Sequence, residues 1–234
     1  ILRTEKIDAI GPPRIEITKL APGNPLGFKI STAVYPKITL PDYRTLVKPL
    51  TREPLSPAPV TDQEIDELTA QMSKNDQPAP ARDQTKTFLE QEKTRTEKDK
   101  RRLKILDTLL AQTTITLPAI LIEAELDKML QEMKINIANL GGKFENYLTH
   151  IKKTETDLKT DWRETAAKRV KASLILEQIA AAEKISVPPD LIEKELTLLL
   201  KQHQDANPTR ARAYLTQLLT TELVWNRLET PTGD

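Results

Sequence analysis

Cysteine is absent from the sequence, glycine occurs only six times, and aromatic residues make up 4% of the 234 residues. Without cysteine there is no disulfide bond and no cysteine-ligated metal site. So few glycines and aromatics disfavour a β-sandwich, a β-barrel and a glycine-rich phosphate loop. The chain also lacks a run of about 18 apolar residues, so no membrane partner is expected.

Charge of either sign is not in excess, because 35 lysines and arginines face 34 aspartates and glutamates. The net charge of +1 argues against a nucleic-acid partner, since domains that bind nucleic acids are usually clearly basic. Residue 1 is isoleucine, and no basic-then-apolar signal segment follows it. We therefore expect a soluble chain, and a fragment whose true N-terminus lies upstream of Ile1.

Proline is concentrated at the start of the chain. Residues 1–80 hold 12 of the 17 prolines, so the long helices are expected later. Apolar residues alternate in 14–20 and 28–34, which predicts two half-buried strands joined by the turn residues at 21–27. A two-stranded hairpin is marginal in water, so it needs packing partners. Residues 36–59 carry six prolines and predict an extended, stiff linker.

A capping box marks the first predicted helix. In TDQE at 61–64 the threonine and the glutamate can each satisfy a free N–H of the other's backbone, which predicts a short helix to about Ser73. The proline-rich QPAPA at 77–81 is expected to end it. Apolar spacing then predicts helices for most of the remaining chain. They are predicted at 84–112, 119–140, 144–151, 155–183, 189–203 and 209–229.

One twelve-residue stretch is written twice, 70 residues apart. ITLPAILIEAEL at 115–126 matches ISVPPDLIEKEL at 185–196, and the likeness extends ten residues further back in each copy. Over these 22 aligned positions 10 residues are identical. Each copy predicts a corner in which a helix ends, the chain reverses, and a second helix starts at Pro118 or Pro188. We expect the two copies to form equivalent structures, which we call the repeated corner.

The glutamates of the repeated corner are interpreted as structural. Glu123 and Glu193 are predicted to lie in a first helical turn, where the helix dipole favours negative charge. Each has a second glutamate two residues later, but positions two apart point to different faces of a helix. Paired acid–base chemistry is therefore not expected.

No other motif indicates catalysis. His150 and His203 are the only histidines, and neither has a cysteine or carboxylate at metal-ligand spacing. The basic run KDKRR at 98–102 could contact RNA or phosphate, but its acidic neighbours favour a solvated helix face. Neither a nucleophile elbow nor a nucleotide-binding loop occurs, so no cofactor and no metal are expected.

Apolar residues exceed what one helix seam needs. The predicted helix 119–140 has a seam at Ile122, Leu126, Met129, Met133, Ile137 and Leu140. Leu121, Leu130 and Ile135 fall off that seam, and LTLLL at 196–200 places leucines on more than one face. A thick bundle could bury these residues, or they could line an open groove in which methionine adapts to varied partners.

The order of these motifs along nearly the whole chain resembles trigger factor, a family of bacterial ribosome-associated chaperones. The most specific phrase is YPKITLPDY at 35–43, inside a stretch at 7–46 that resembles the end of the family's N-terminal domain. VTDQEIDEL at 60–68 is similar to the next segment. ITLPAILIEAEL, followed by AAKRVKASLILEQIAAAEKISVP at 166–188, resembles the C-terminal helical domain and its arms.

The resemblance implies a mainly α fold, an elongated helical domain with two helical arms, preceded by a β-hairpin remnant of an α+β N-terminal domain. The implied domains are consecutive. Residues 1–47 end the N-terminal domain, 48–83 form the linker with its short helix, and 84–234 form the helical domain. Its arms are expected at about 115–153 and 185–208.

The implied function is an ATP-independent chaperone in the cytoplasm that holds unfolded or nascent polypeptides between the arms and assists folding and export. The expected contacts with those polypeptides are Leu121, Leu130, Met133, Ile137, Leu198 and Leu200. A homodimer is a further predicted partner state. The rival interpretation is a helical scaffold that binds one folded partner.

Two departures from the family limit what carries over. The family's ribosome-docking loop would lie upstream of Ile1, so ribosome binding is not expected of this chain. The family's isomerase domain of the FK506-binding type is also missing, because only QPAPARDQ at 77–84 separates the flanking segments. We therefore expect no prolyl isomerase activity.

Overall fold

The structure is a computed structural model that describes residues 9–19, 27–73 and 81–230. Within these ranges it contains one antiparallel hairpin and eight helices, so the predicted mainly α fold is confirmed. The strands are β1 (Ala9–Lys19) and β2 (Gly27–Val34). The helices are α1 (Tyr43–Arg52), α2 (Asp62–Ser73), α3 (Arg82–Gln112), α4 (Ala119–Asn139), α5 (Phe144–Ile151), α6 (Glu155–Ala182), α7 (Pro189–Gln202) and α8 (Pro208–Glu229). None of these described helices is both long enough and apolar enough to cross a bilayer.

The chain divides into two compact units that differ from the consecutive segments predicted. Unit 1 combines 1–40 with 113–179, and so holds the hairpin, α4, α5 and most of α6. Unit 2 combines 41–112 with 180–234, and so holds α1, α2, α3, α7, α8 and the end of α6. Each unit is therefore built from two pieces of chain, and in unit 2 the packing of α1 on α8 joins them.

The hairpin is longer and more exposed than predicted. Its register pairs Ile15 with Ile30 and Ile17 with Phe28, with an irregularity near Gly11. Ile15 and Ile17 are 61% and 62% exposed, so the prediction of half-buried strands is wrong for β1. Residues 21–26 of the predicted turn lie outside the described residues.

Helix α1 corrects the prediction of an extended linker at 36–59. Asp42 caps it by accepting a hydrogen bond from the Thr45 backbone N–H at 3.3 Å, and Pro49 lies inside the helix. Val47 and Thr51 are buried at 2% and 8% exposure, on the side of α1 that packs on α3 and α8. Burial of this apolar face outweighs the hydrogen bond that the proline cannot donate.

The capping box before α2 is confirmed. The Thr61 backbone N–H donates to the Glu64 carboxylate at 2.8 Å, and the Glu64 N–H donates to the Thr61 hydroxyl at 3.3 Å. Lys93 on α3 donates to the same carboxylate at 2.7 Å, and this bond is the main reason that the pKa of Glu64 falls to about 2. Of the segment predicted to end this helix, residues 77–80 lie outside the described residues.

The later helices follow the predicted bounds to within a few residues, and the repeated corner is visible in both units. Pro118 and Pro188 are the N-caps of α4 and α7, each with an extended ψ near 130° (134° and 131°). In each copy the N–H three residues later donates to the proline carbonyl at 3.1 Å, from Leu121 and from Leu191. The shared sequence therefore produces the same helix start twice.

The interpretation of Glu123 and Glu193 as first-turn residues is wrong. Both lie one position beyond the first turn, and each forms an ion pair with an arginine of a neighbouring helix. Glu123 pairs with Arg163 of α6, and Glu193 pairs with Arg212 of α8. The repeated glutamate therefore links two helices through an ion pair, and it does not interact with the N-terminal end of a helix dipole.

Candidate functional site

The candidate site lies in unit 1 on the pair α4 and α6. Glu123 pairs with Arg163, and four residues later on α4 Asp127 pairs with Lys159, four residues earlier on α6. This opposite progression shows that the two helices run antiparallel. The hydrogen bond with Asp127 raises the pKa of Lys159, since it favours the charged ammonium.

An apolar cluster fills the far end of this helix pair. Leu130 of α4, Phe144 of α5 and Leu158 of α6 are buried at its centre, at 4%, 8% and 4% exposure. Around them pack six partly buried residues: Met133, Ile137, Tyr147, Leu148, Ile151 and Trp162. The cluster therefore joins three helices that are consecutive along the chain.

A groove of about 320 Å³ opens beside the cluster. It is lined by Met129, Glu132, Met133, Asn136, Ile137, Leu140, Tyr147, Trp162 and Arg169. Six of these nine side chains are apolar or aromatic, and two of them are the flexible methionines of α4. The groove therefore offers a deformable apolar floor that suits varied side chains.

Two of the residues that line the groove are charged. Arg169 of α6 contacts Glu132 at 3.2 Å and Glu125 at 3.4 Å, so the one basic and one acidic lining residue neutralise each other. Arg169 and Glu132 are about half exposed, so their ion pair adds little stability, whereas the Glu125 side chain is only 16% exposed. The lining of the groove therefore carries no net charge.

The six predicted contact residues differ in burial and in whether they line the groove. Met133 and Ile137 line the groove, and Leu121 is half-buried nearer the start of α4. Leu130 is buried in the cluster, so its predicted position off the main seam is wrong. Leu140, which was assigned to the seam, is 87% exposed at the end of α4, because the helix ends there.

The second arm belongs to unit 2. Leu196 of α7 is buried with Ala211 and Leu215 of α8, and Leu200 is partly buried against them. Leu198 points away from that contact and is 47% exposed. Of the two predicted contacts on this arm, Leu198 is therefore the accessible one.

Sequence reasoning missed the aromatic wall of the groove. Neither Tyr147 nor Trp162 is among the predicted contact residues. Trp162 lies four residues after Leu158 and eight before Val170, and both of these residues are buried. The available signal was the rarity of large aromatics in a chain with only 4% of them.

Unit 2 contains two charged networks that serve packing. Glu183 accepts hydrogen bonds from the Tyr43 hydroxyl at 2.6 Å and from Arg44 at 2.7 Å, and its other oxygen contacts Arg227 at 3.2 Å. Its pKa is lowered to about 2, first by the Tyr43 hydrogen bond and then by Arg44. This carboxylate joins α1 and α8 to the end of α6.

The sequence favours a solvated helix face for the basic run at 98–102, but the structure shows that two of its residues contact α8. Arg102 donates to Glu222 at 2.7 Å and to Glu229 at 2.8 Å, and its guanidinium lies 5.3 Å from the centre of the Trp225 ring. Lys98 reaches Glu229 at 3.3 Å. Two of its basic residues therefore fasten α3 to α8.

Within the described residues no group of three potential metal-ligating side chains comes together. His150 and His203 are both exposed, in keeping with the interpretation drawn from the sequence. The apolar lining of the groove is suited to binding apolar groups.

Two family models match the chain. The model described as the C-terminus of the bacterial trigger factor protein matches residues 79–229, and the model described as bacterial trigger factor protein matches residues 1–72. The matched regions are separated by residues 73–78 only. The chain is a mainly α-helical protein, and it belongs to the trigger factor family.

Individual relatives agree with this assignment. The trigger factor of Bacillus pumilus is 31% identical over 121 residues, covering 52% of this chain and 28% of that protein. That of Exiguobacterium sibiricum is 32% identical over 139 residues, covering 57% and 32%. That of Halothermothrix orenii is 29% identical over 150 residues, covering 64% and 35%. The matches thus cover about a third of the length of these curated relatives.

One solved structure is also similar. It is described as "Promiscuous Substrate Recognition in Folding and Assembly Activities of the Trigger Factor Chaperone". The similarity covers 70% of this chain and 41% of that chain, with a TM-score of 0.37 and 18% sequence identity.

Proposed function

We propose that the chain is an ATP-independent chaperone of the cytoplasm that holds unfolded or nascent polypeptides and assists their folding and export. We call such a held polypeptide a client. The groove of unit 1 is the observation that carries the proposal, because it is apolar, open and lined by flexible methionines. Membership of the trigger factor family supports it. The sequence has no nucleotide-binding loop that would require ATP.

Holding requires weak and reversible binding. At about 25 cal/mol per Å² of buried apolar surface, a client segment that buries roughly 200 Å² gains about 5 kcal/mol before ordering costs are subtracted. That gain suits transient contacts at several places on one client. The two arms at 115–153 and 185–208 would each provide such contacts.

The predicted contact residues have distinct roles in this proposal. Met133 and Ile137 contact the client in the groove, and Leu121 extends the same apolar surface along α4. Leu198 and Leu200 form the contacts of the second arm. Leu130 lies beneath Met133 in the cluster, so it contacts a client only when the cluster opens.

Light scattering of a refolding enzyme tests the proposal. A several-fold excess of the chain should delay aggregation without ATP. Met133→Asp should weaken this effect, because the new charge would have to be buried with the client. The matched control is Ile135→Asp on the same helix, whose side chain is 58% exposed and outside the groove. Unchanged aggregation in the presence of the wild-type chain would refute chaperone activity and leave the scaffold interpretation.

We further propose that the chain is not a prolyl isomerase, because only residues 73–78 separate its two family matches. A tetrapeptide that contains proline should convert from cis to trans at the uncatalysed rate. A clearly faster rate, which disappears when the chain is removed by immunodepletion, would contradict this proposal.

A further inference from the structure

Helix α5 has the spacing of a docked peptide. Its four large apolar residues, Phe144, Tyr147, Leu148 and Ile151, follow the pattern i, i+3, i+4 and i+7 and all pack into the cluster. The intervening residues 145, 146, 149 and 150 are all exposed. This is how an amphipathic helix of a partner protein fills an apolar groove.

The surface under α5 is formed by the helix pair α4 and α6. Its residues are Leu130, Met133 and Ile137 of α4 with Leu158 and Trp162 of α6. We call this surface the α5 seat. Met133, Ile137 and Trp162 also line the adjoining groove, so the seat and the groove form one continuous apolar surface, part of which α5 covers.

Polar contacts do not fasten α5 to its seat. Within the described residues, no side-chain hydrogen bond or ion pair joins 144–151 to another helix; the Thr149 hydroxyl donates within α5 itself. The ammonium of Lys134 lies 5.0 Å from the centre of the Phe144 ring. By contrast, ion pairs join α4 directly to α6. The seat can therefore persist when α5 leaves it.

The turns on both sides of α5 each contain a residue with positive φ. Gly141 has a φ of +75° and no heavy atom within 4 Å of the place where a Cβ would lie. Lys152, which ends the helix, also has a positive φ of 53°. An eight-residue helix is marginal in water, so α5 would lose its helical structure on release and gain conformational entropy.

We propose that α5 is a built-in occupant of its seat, and that client segments with large apolar residues at i, i+3, i+4 and i+7 displace it. This inference rests on the proposed function and names the class of client segment that the site accepts. Displacement adds Leu130 and Leu158 to the client-binding surface. A client then competes with α5, so the apparent affinity depends on the fraction of molecules in which the seat is free.

The first test uses a peptide of sequence GGKFENYLTHIKK, which copies residues 141–153, made with ¹⁵N so that its fragments differ in mass from those of the chain. Amide hydrogen exchange of the chain is followed by mass spectrometry with and without saturating peptide. Amides of 144–151 should exchange faster with peptide, while those of α4 stay protected. A control peptide with serine in place of Phe144 and Leu148 should change neither.

The second test weakens the competitor. Phe144→Ala should loosen α5 and so raise the affinity for a fluorescently labelled peptide of the same sequence at least about tenfold, measured by fluorescence anisotropy. The matched control Ile135→Ala, an exposed residue of α4, should leave the affinity unchanged. If Phe144 were only a core residue or a direct contact, its truncation would weaken peptide binding instead.

Either of two results overturns the inference: slower exchange of 144–151 on peptide binding, or weaker binding after Phe144→Ala. If Phe144→Ala does not fold, the exchange experiment on the wild-type chain decides alone. When the wild-type chain delays aggregation yet α5 stays in place, the inference fails and the proposed function stands. When the peptide displaces α5 yet aggregation is unchanged, the seat stands and the proposed function fails.

Discussion

Replacing Glu183 with glutamine removes a negative charge that three side chains of unit 2 share. The carboxylate is only 6% exposed and accepts from the Tyr43 hydroxyl at 2.6 Å, from Arg44 at 2.7 Å and from Arg227 at 3.2 Å. Glutamine keeps the shape but not the charge, and both arginines are about half exposed and can rehydrate. We expect the free energy of unfolding of unit 2 to fall by about 1–2 kcal/mol at pH 7.

The same substitution should change how stability depends on pH. The folded-state pKa of Glu183 is lowered from 4.5 to about 2, so the folded state favours the ionised form. Its contribution is complete above about pH 4.5 and is lost as the pH falls through about 2. The stability difference between the wild type and Glu183→Gln should therefore shrink steadily between those two values.

The two tryptophans allow each unit to be followed separately. Trp225 lies in unit 2 and Trp162 in unit 1, so Trp162→Phe leaves a reporter of the unit that contains Glu183. Urea unfolding followed by Trp225 fluorescence at several pH values gives the difference. Trp162 fluorescence in a Trp225→Phe background is the control and should not respond to Glu183→Gln. A difference that stays constant from pH 7 to pH 2.5 would refute the assigned role of the carboxylate.

Three further substitutions follow from burial, backbone and capping. Leu130→Ala should lower the free energy of unfolding of unit 1 by about 2–4 kcal/mol, measured by urea unfolding with Trp162 fluorescence. Met133→Ala should cost less than half as much. Equal losses from the two substitutions would contradict the burial of Leu130. Gly11→Ala should destabilise the hairpin by more than about 1 kcal/mol, because φ is +71° and the new Cβ would meet α4; unchanged amide exchange in β1 and β2 would contradict this. Thr61→Ala should cost about 1 kcal/mol and speed amide exchange at the start of α2, whereas unchanged exchange would count against the capping box.

The helix bounds were predictable because local sequence marks them. Thr61 with Glu64, the prolines at 118 and 188, and Asn207 before Pro208 all act within a few residues of the helix start that they mark. Gly141-Gly142 likewise ends α4 by local chemistry. Signals of this kind do not depend on how the chain folds back on itself.

What the sequence did not predict depends on tertiary packing. Helix α1 contains Pro49 and forms because Val47 and Thr51 are covered by other helices. Leu130 lies on the packed side of α4 because Phe144 and Leu158 cover it, and helical periodicity alone cannot show which of several apolar stripes is covered. The exposed face of the groove was equally unpredictable, because it is the stripe that the neighbours leave free.

The internal repeat separates what local sequence determines from what tertiary packing determines. Both copies form the same proline-capped helix start, and both join a neighbouring helix through the same glutamate, Glu123 or Glu193. The aromatic wall of the groove comes from Tyr147 and Trp162, which lie outside the repeated residues 105–126. The helix that the repeat starts is also 21 residues long in one copy and 14 in the other. The repeat therefore encodes a corner at which a helix starts. The apolar surface that we propose to hold clients is formed by residues that follow the first copy along the chain.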